Sequence, residues 1–373
     1  MEAMLPLGLF FYFYYDEVNP FYPLSPGGRG LACLPVGRGE GDRSFNHGGK
    51  DHMKAIIVEQ IGSFILKDIA IPEPGNGEVL VKVDVTGLCR TDLKIIRVGH
   101  RDLVLPRVPG EEVVGTIVKQ GANTDGVIEG QRVYIYPGTS CGQCKQCKSG
   151  AGNLCVDMKI MGFHRDGGFA EYVVSPVESL INVLDHIPAD EAVFTEPLSC
   201  CLNALELARL SRDETIGIWG GGTAGTLLKC ASEAMGARPF VIEKDERRRK
   251  LADGFTSPHE KEIDVAIIAV GNMNAYRDAL KYLAPRGRLV VFSGLPKDTS
   301  AMQIDLNQLH YHEQTVVGAY GCSYRHGQQA MDMIGGGEVK VTDMISHQMP
   351  LKKLDEALVI VEQREGMKIL LYP

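Results

Sequence analysis

Two patterns of apolar and polar positions divide the chain. From Met53 to about Val174, short apolar runs alternate with glycine and proline turns, as in Val79–Val85, Val113–Val118 and Val133–Tyr136. Runs of this length between turn residues predict a compact, mostly β unit. From Asp190 to Leu210 the spacing becomes helical, with apolar residues at Ala192, Leu198, Leu202, Leu205 and Ala208. A strand is expected at Thr215–Trp219, then a glycine-rich turn and a helix through Met235. Further strands are expected at Pro239–Glu243, Ile263–Val270 and Arg288–Phe292, with a helix over Tyr276–Leu283. This alternation of strand and helix predicts a parallel α/β sheet. From about Gly321 the pattern is mixed again and ends in an apolar run, Met367–Leu371.

The first 52 residues follow neither pattern. Leu5–Tyr15 is apolar and aromatic but too short to span a bilayer, and no Lys or Arg precedes it as in a signal peptide. Gly27–Lys50 is rich in glycine and arginine without periodicity, so residues 1–52 are expected to be disordered or a non-native extension. Met53 is the expected natural start. Composition adds little beyond this: 44% apolar and 23% charged residues, with a net charge of −8, suit a soluble globular protein. Nothing in the charge pattern suggests nucleic acid or a membrane as partner. Ten cysteines in 373 residues are too sparse for a disulfide scaffold, which favours a reducing cytoplasm.

The cysteines carry chemistry of another kind. Cys141, Cys144, Cys147 and Cys155 form a C-x2-C-x2-C-x7-C run, broken by Gly142, Gly150, Gly152 and Asn153. Four thiolates on so short a loop can converge on one tetrahedral ion, and a closed four-thiolate shell is a structural zinc site. A pair of disulfides is the competing reading. The second motif is Gly220-Gly221-Gly222-Thr223-Ala224-Gly225, a G-x-G-x-x-G between a strand and a helix. Gly220 would make the tight turn, Gly222 would admit the pyrophosphate, and Gly225 would allow close helix–strand packing. Thr223 and Ala224 lie on the phosphate side of the turn. Glu243, eighteen residues after Gly225, ends the next strand, where a carboxylate binds ribose hydroxyls and repels a 2′-phosphate. NAD is therefore expected in preference to NADP, although Lys244 and Arg247 lie close by. Only about twenty residues separate Glu243 from Ile263, so one edge unit of the sheet should be trimmed.

GLCRTDLK (87–94), PGEEVVGTI (109–117), the cysteine run, GGFAEYV (167–173), EPLSC (196–200) and the glycine turn occur in an order that resembles the zinc-dependent medium-chain dehydrogenase/reductase family. HYHEQTVVGAYG (310–321) is most similar to its sorbitol/threonine dehydrogenase branch. The resemblance implies a GroES-like, mostly β catalytic domain (53–202 and 321–373) and a doubly wound Rossmann domain (203–320), with the active site in the cleft between them. It implies hydride transfer between a small secondary alcohol and its ketone, in a cytoplasmic homodimer or homotetramer. Cys89 takes the position of the first catalytic-zinc ligand, Arg90 that of a pyrophosphate-binding arginine, and Thr91 that of the proton-relaying hydroxyl. Glu196 matches the carboxylate near the metal. Glu112 matches the family's glutamate, which approaches the metal or supports its ligands.

Glu111 departs from the pattern, because the family has histidine there. A Cys/Glu/Glu set would overcompensate a 2+ ion, weaken its Lewis acidity and shift preference towards Mn²⁺ or Fe²⁺. Alternatively, Glu111 stays outside and the site binds metal weakly. His164, His310 and His312 are the imidazoles left to substitute. His310 and His312 would share a face if they lie on a strand, and Lys94 stands where polyol enzymes often have histidine. Two other readings stay open: a quinone-type oxidoreductase without catalytic metal, and a non-catalytic nucleotide-binding redox sensor.

Overall fold

The computed structural model describes residues 51–295, 298 and 300–373, so the expectations for residues 1–50 lie outside it. An antiparallel pair, β1 (His52–Gln60) and β2 (Ser63–Ala70), opens the described chain. β3 (Glu78–Leu88) follows and runs into the short helix α1 (Arg90–Arg97). β4 (Glu112–Gln120) and β5 (Arg132–Ile135) come next. The two-residue strands β6 (Gly138–Thr139) and β7 (Lys159–Ile160) pair antiparallel at the base of the cysteine loop, which holds the one-turn helix α2 (Lys145–Lys148). β8 (Tyr172–Pro176) and β9 (Leu180–Asn182) complete this part.

Five of these strands, β3, β4, β5, β8 and β9, build a seven-stranded sheet together with two strands from the far end of the chain, β15 (Ile345–Pro350) and β16 (Lys368–Tyr372). The order is β15-β16-β3-β4-β5-β9, with β8 also on β3. β3 is long enough that β8 pairs its first half and β16 its last residues, while β4 runs along its other edge. Val79, Val81, Val83, Val113, Ile117, Val133 and Ile135 turn inward to make its core. β16 therefore lies inside the sheet.

The expected helix over 190–210 is two helices, α3 (Ala189–Ala192) and α4 (Thr195–Leu207). Pro197 is the reason: its ring would clash with the carbonyl four residues back, so the helix restarts with Pro197 in its first turn. A five-stranded, all-parallel sheet follows, in the order β11-β10-β12-β13-β14. Its strands are β10 (Thr215–Trp219), β11 (Arg238–Ile242), β12 (Ile263–Ile268), β13 (Leu283–Val291) and β14 (Thr315–Gly318). Every residue of β10 is buried, as expected for a strand covered on both faces. The covering helices are α5 (Thr223–Ala234), α6 (Glu246–Leu251), α7 (Met273–Leu280) and α8 (Leu306–His312). Between Ile242 and Ile263 there are only α6 and a single bridge, Ile242–Phe255, so the edge unit is short. Strand order reverses at β10, and in open parallel sheets ligands bind beyond the carboxyl ends of the strands at that point. α9 (Tyr324–Gly335) and α10 (Leu354–Gln363) lead back to the first sheet.

α4 joins the two sheets. One apolar core runs from Tyr134 and Val193–Phe194 through Leu198, Cys201 and Leu205 of α4 to Ile216, Ile218 and Leu227 of the parallel unit. The side chains that face the cleft from α4 are therefore fixed against both sheets.

Candidate active site

The cysteine loop is built to close on an ion. Gly142 and Gly150 adopt φ of +68° and +83°, which reverse the chain on either side of α2. Cys144 caps α2 and accepts the Cys147 amide at 3.5 Å. The sulfurs stand 4.0 Å (Cys141–Cys147), 3.5 Å (Cys144–Cys147) and 4.0 Å (Cys144–Cys155) apart. A tetrahedron with Zn–S bonds of about 2.3 Å has edges of about 3.8 Å, so the spacing fits a zinc shell and is far too long for S–S bonds. The Cys147 and Val156 amides hold the Cys144 thiol down to about 6, towards the thiolate a metal needs.

The glycine turn sits at the end of β10. Gly220 has φ of +115°, and a Cβ at Gly225 would overlap the Gly220 carbonyl oxygen. Glu243 follows β11, and its two oxygens accept the Gly221 and Asp245 amides at 2.8 and 3.0 Å. Thr223 and Ala224 open α5. The Thr223 hydroxyl donates to the Met367 carbonyl at 2.7 Å, and the Ala224 carbonyl accepts from the Cys201 thiol at 3.5 Å. Arg248 bonds the Gly366 carbonyl at 3.3 Å while its buried Nε has no partner. Burial lowers the pKa of both Arg90 and Arg248, and repulsion from Arg364 lowers them further. Guanidiniums that repel one another beside helix-opening amides form a cradle for a polyanion such as a pyrophosphate.

Between these features lies a cluster of acidic groups. Cys89 follows β3 and caps α1, and its amide donates to Asp92 at 2.9 Å. Glu111 and Glu112 lead into β4. Register places Gly87 between Glu112 of β4 and Leu370 of β16. A Cβ at Gly87 would collide with the Glu112 carboxylate and Lys368 Cε, so the bare strand is what lets these two side chains meet. They form a fully buried ion pair. Burial opposes the Lys368 charge, but Glu112 and Cys89 outweigh it and raise its pKa. Glu196, in the first turn of α4, is pushed up to about 7 by burial and by Glu112. Asp92 is pushed up to about 6 by burial, against the Cys89 amide. Burial, then Glu196 and Asp92, raise Glu111 well above its ordinary value. One oxygen of Glu111 and one of Asp92 are shielded from solvent without any hydrogen bond.

Comparison with known proteins decides the family. The alcohol dehydrogenase GroES-like domain matches residues 75–185, and the zinc-binding dehydrogenase family matches residues 224–335. L-galactonate-5-dehydrogenase of Escherichia coli K12 is 28% identical over 336 residues, covering 85% of this chain and 98% of that protein. Sorbitol dehydrogenase of Bacillus subtilis 168 is 26% identical, covering 88% and 99%. A Sinorhizobium meliloti 1021 crystal structure bound to NADP superposes with a TM-score of 0.81 at 27% identity, covering 87% and 100%. The chain belongs to the zinc-type medium-chain alcohol dehydrogenase family. Its β sheet and parallel sheet are the GroES-like and Rossmann folds of that family.

In this dehydrogenase the expected cleft residues share one electrostatic neighbourhood without closing into one shell. Cys89 is raised by burial and then by Asp92, Glu112 and Glu111, so all four lie within reach of one another's charge. Glu112 is engaged by Lys368. The donors that do converge are Glu196, Cys200 and Cys322, whose ligand atoms all lie within 4.8 Å of one another. Apart from the cysteine loop, no other group of three such donors converges among the described residues. Lys368 is the ammonium that Cys89, Asp92, Glu112 and Glu196 share. Orphaned carboxyl oxygens in such a setting fit a divalent cation. Sequence reasoning missed Asp92, Cys200, Cys322 and Lys368. Only Cys200 had a local signal, four residues after Glu196 on a helix. Lys94 is exposed on α1, and His164 Nδ1 accepts the Ile160 amide at 3.1 Å. His310 and His312 lie on α8, not on a strand, so they face different sides; His312 bonds the Gln308 carbonyl at 2.9 Å.

Proposed function

We propose that this chain oxidises a secondary alcohol, of the polyol, sugar-alcohol or amino-alcohol class, to the ketone with NAD⁺ as hydride acceptor. The observation that carries the reading is the contiguity of the acidic cluster with the anion cradle. α4 bears Glu196 on the cleft and touches α5 through Cys201 and Ala224. When bound, the nicotinamide takes the hydride and a divalent ion, zinc by family, polarises the alcohol oxygen. Glu196 would be a donor to that ion, while Glu112 is held back by Lys368. Cys141, Cys144, Cys147 and Cys155 hold a second, structural zinc. Arg90, Arg248 and the amides of Gly222–Gly225 bind the pyrophosphate, and Glu243 takes the ribose hydroxyls, which favours NAD over NADP. The Thr91 hydroxyl, half-buried at the start of α1, accepts the alcohol proton and passes it towards solvent. Atoms balance as alcohol plus NAD⁺ giving ketone, NADH and a proton.

Residues 53–202 and 321–373 form the catalytic domain in this reading, and 203–320 the nucleotide-binding domain. The assembly is a cytoplasmic homodimer or homotetramer, with the sheet edge at β14 open to a second copy. No helix among the described residues is long and apolar enough to cross a membrane. The glutamate at 111 favours one rival, a metal-independent oxidoreductase, and activity that survives chelation would select it. The test is NADH formation by zinc-replete protein over a panel of polyols and amino alcohols. Thr91→Val should lower kcat by about 10²-fold with NADH affinity unchanged. Absence of turnover with every alcohol would refute the reading.

A further inference from the structure

The three converging donors of the cleft are not the set the family pattern offers. Glu196 and Cys200 stand one turn apart on α4, so both side chains leave the same face of a helix that is packed against both sheets. The Cys200 thiol donates to Glu196 Oε1 at 3.4 Å. Cys322 comes from the link between β14 and α9, and its sulfur lies within 4.8 Å of the other two ligand atoms. That link is held from several sides. The Tyr136 hydroxyl donates to the Cys322 carbonyl at 2.7 Å, Asn203 donates to the Gly321 carbonyl at 2.8 Å, and Asn153 of the cysteine loop donates to the Tyr320 carbonyl at 2.7 Å. The third donor is thus as firmly placed as the helical pair, which is the preorganisation that a metal site needs. Glu111 senses the charge of both Glu196 and Cys322, and its shielded Oε1 has no hydrogen-bond partner, but it stands outside the convergence of the three.

We propose that Glu196, Cys200 and Cys322 bind the cleft's divalent ion through two thiolates and one carboxylate, with Cys89 outside the shell. The chain lacks the imidazole of the family pattern at position 111, and two thiols replace its softness. Such a set selects zinc over the oxygen-seeking ions that a Cys/Glu/Glu set would favour. Binding releases the two thiol protons to solvent as the sulfurs take up the metal. The assignment rests on reading the cleft as that of a metal-dependent dehydrogenase.

The test counts metal on the reduced full-length protein. Wild type should carry two zinc ions per chain. Cys200→Ser and Cys322→Ser should each carry one, retained by the cysteine loop, while Cys89→Ser keeps two. ¹¹³Cd substitution of the unmutated protein gives a second readout that does not depend on a variant folding. The four-thiolate loop gives the most deshielded resonance, and the cleft should give a second one in the range of two-thiolate sites. A single zinc in wild type would overturn the assignment, as would a second cadmium resonance in the one-thiolate range. So would a zinc lost from Cys89→Ser but kept in Cys322→Ser. Failure of the dehydrogenase reading looks different: the predicted metal counts, with no NADH formed from any alcohol.

Discussion

Replacing Lys368 with methionine isolates the one ion pair that is fully buried on both sides among the described residues. Lys368 and Glu112 are 2% and 1% exposed and meet over Gly87 in the middle of the seven-stranded sheet. Two unit charges about 4 Å apart at an effective dielectric of about 20 attract by about 4 kcal/mol. Losing one partner forfeits this and strands the other, which typically costs 3–5 kcal/mol. The cost falls where it is hardest to absorb, because the other groups that sense Glu112, Cys89, Asp92, Glu111 and Glu196, are all acids and none supplies a replacement positive charge. The expected loss for the metal-free protein at pH 7 is about 4 kcal/mol, a large part of the 5–15 kcal/mol that holds a typical protein folded. Urea unfolding followed by far-UV circular dichroism measures it. Trp219, the single tryptophan, reports the parallel sheet separately by fluorescence. Lys67→Ala is the control: its pair with Glu59 is about half exposed, and its loss should cost less than about 1 kcal/mol. The double variant Glu112→Leu/Lys368→Met should recover much of the stability, since a buried pair replaced by packed apolar groups is near neutral. A Lys368→Met loss below about 1 kcal/mol, or a double variant as unstable as the sum of the singles, would refute the reasoning.

Gly225→Ala places a methyl group against the Gly220 carbonyl, so α5 must move off the turn; NADH affinity by fluorescence titration should fall at least about tenfold, and a change within twofold would count against the cradle. His326 is 4% exposed, accepts the Ser323 amide at 3.2 Å and has its pKa lowered by burial despite Glu206. A depressed histidine contributes stability that is present above its ordinary value of about 6.5 and is lost as pH falls through the lower folded value. The melting temperature of wild type should therefore drop on acidification from about pH 6.5 down through the lower folded value, and His326→Asn should flatten the drop; parallel curves for the two proteins would exclude His326 as its source.

What could be read in advance follows from distance along the chain. The cysteine loop and the glycine turn were legible because their chemistry lies within a few residues and their glycines mark the turns. The parallel strands were legible because a strand buried on both faces reads as an unbroken apolar run, as TIGIW does. The cleft was not. Lys368 is 256 residues from Glu112, and Cys322 is remote from Glu196; only the register of β16 on β3 and the path from β14 to α9 bring them together. HYH stayed open between strand and helix because three residues cannot distinguish a period of 2 from one of 3.6, and the Asp305 side chain, which accepts the Asn307 amide, settles it as a helix. The break between α3 and α4 was signalled by Pro197, whose effect the apolar spacing concealed.

The interior position of β16 has a consequence for the order in which the molecule can be made. The parallel sheet is complete once β14 has emerged from the ribosome, and every strand it needs lies between residues 215 and 318. The other sheet has its early strands in hand before that, but they must wait for β15 and β16. Lys368 is synthesised 256 residues after Glu112, so Glu112 waits without its counter-ion while the whole parallel sheet is made. The parallel-sheet half can thus mature first and serve as a platform, while the other sheet closes only once β16 has been made.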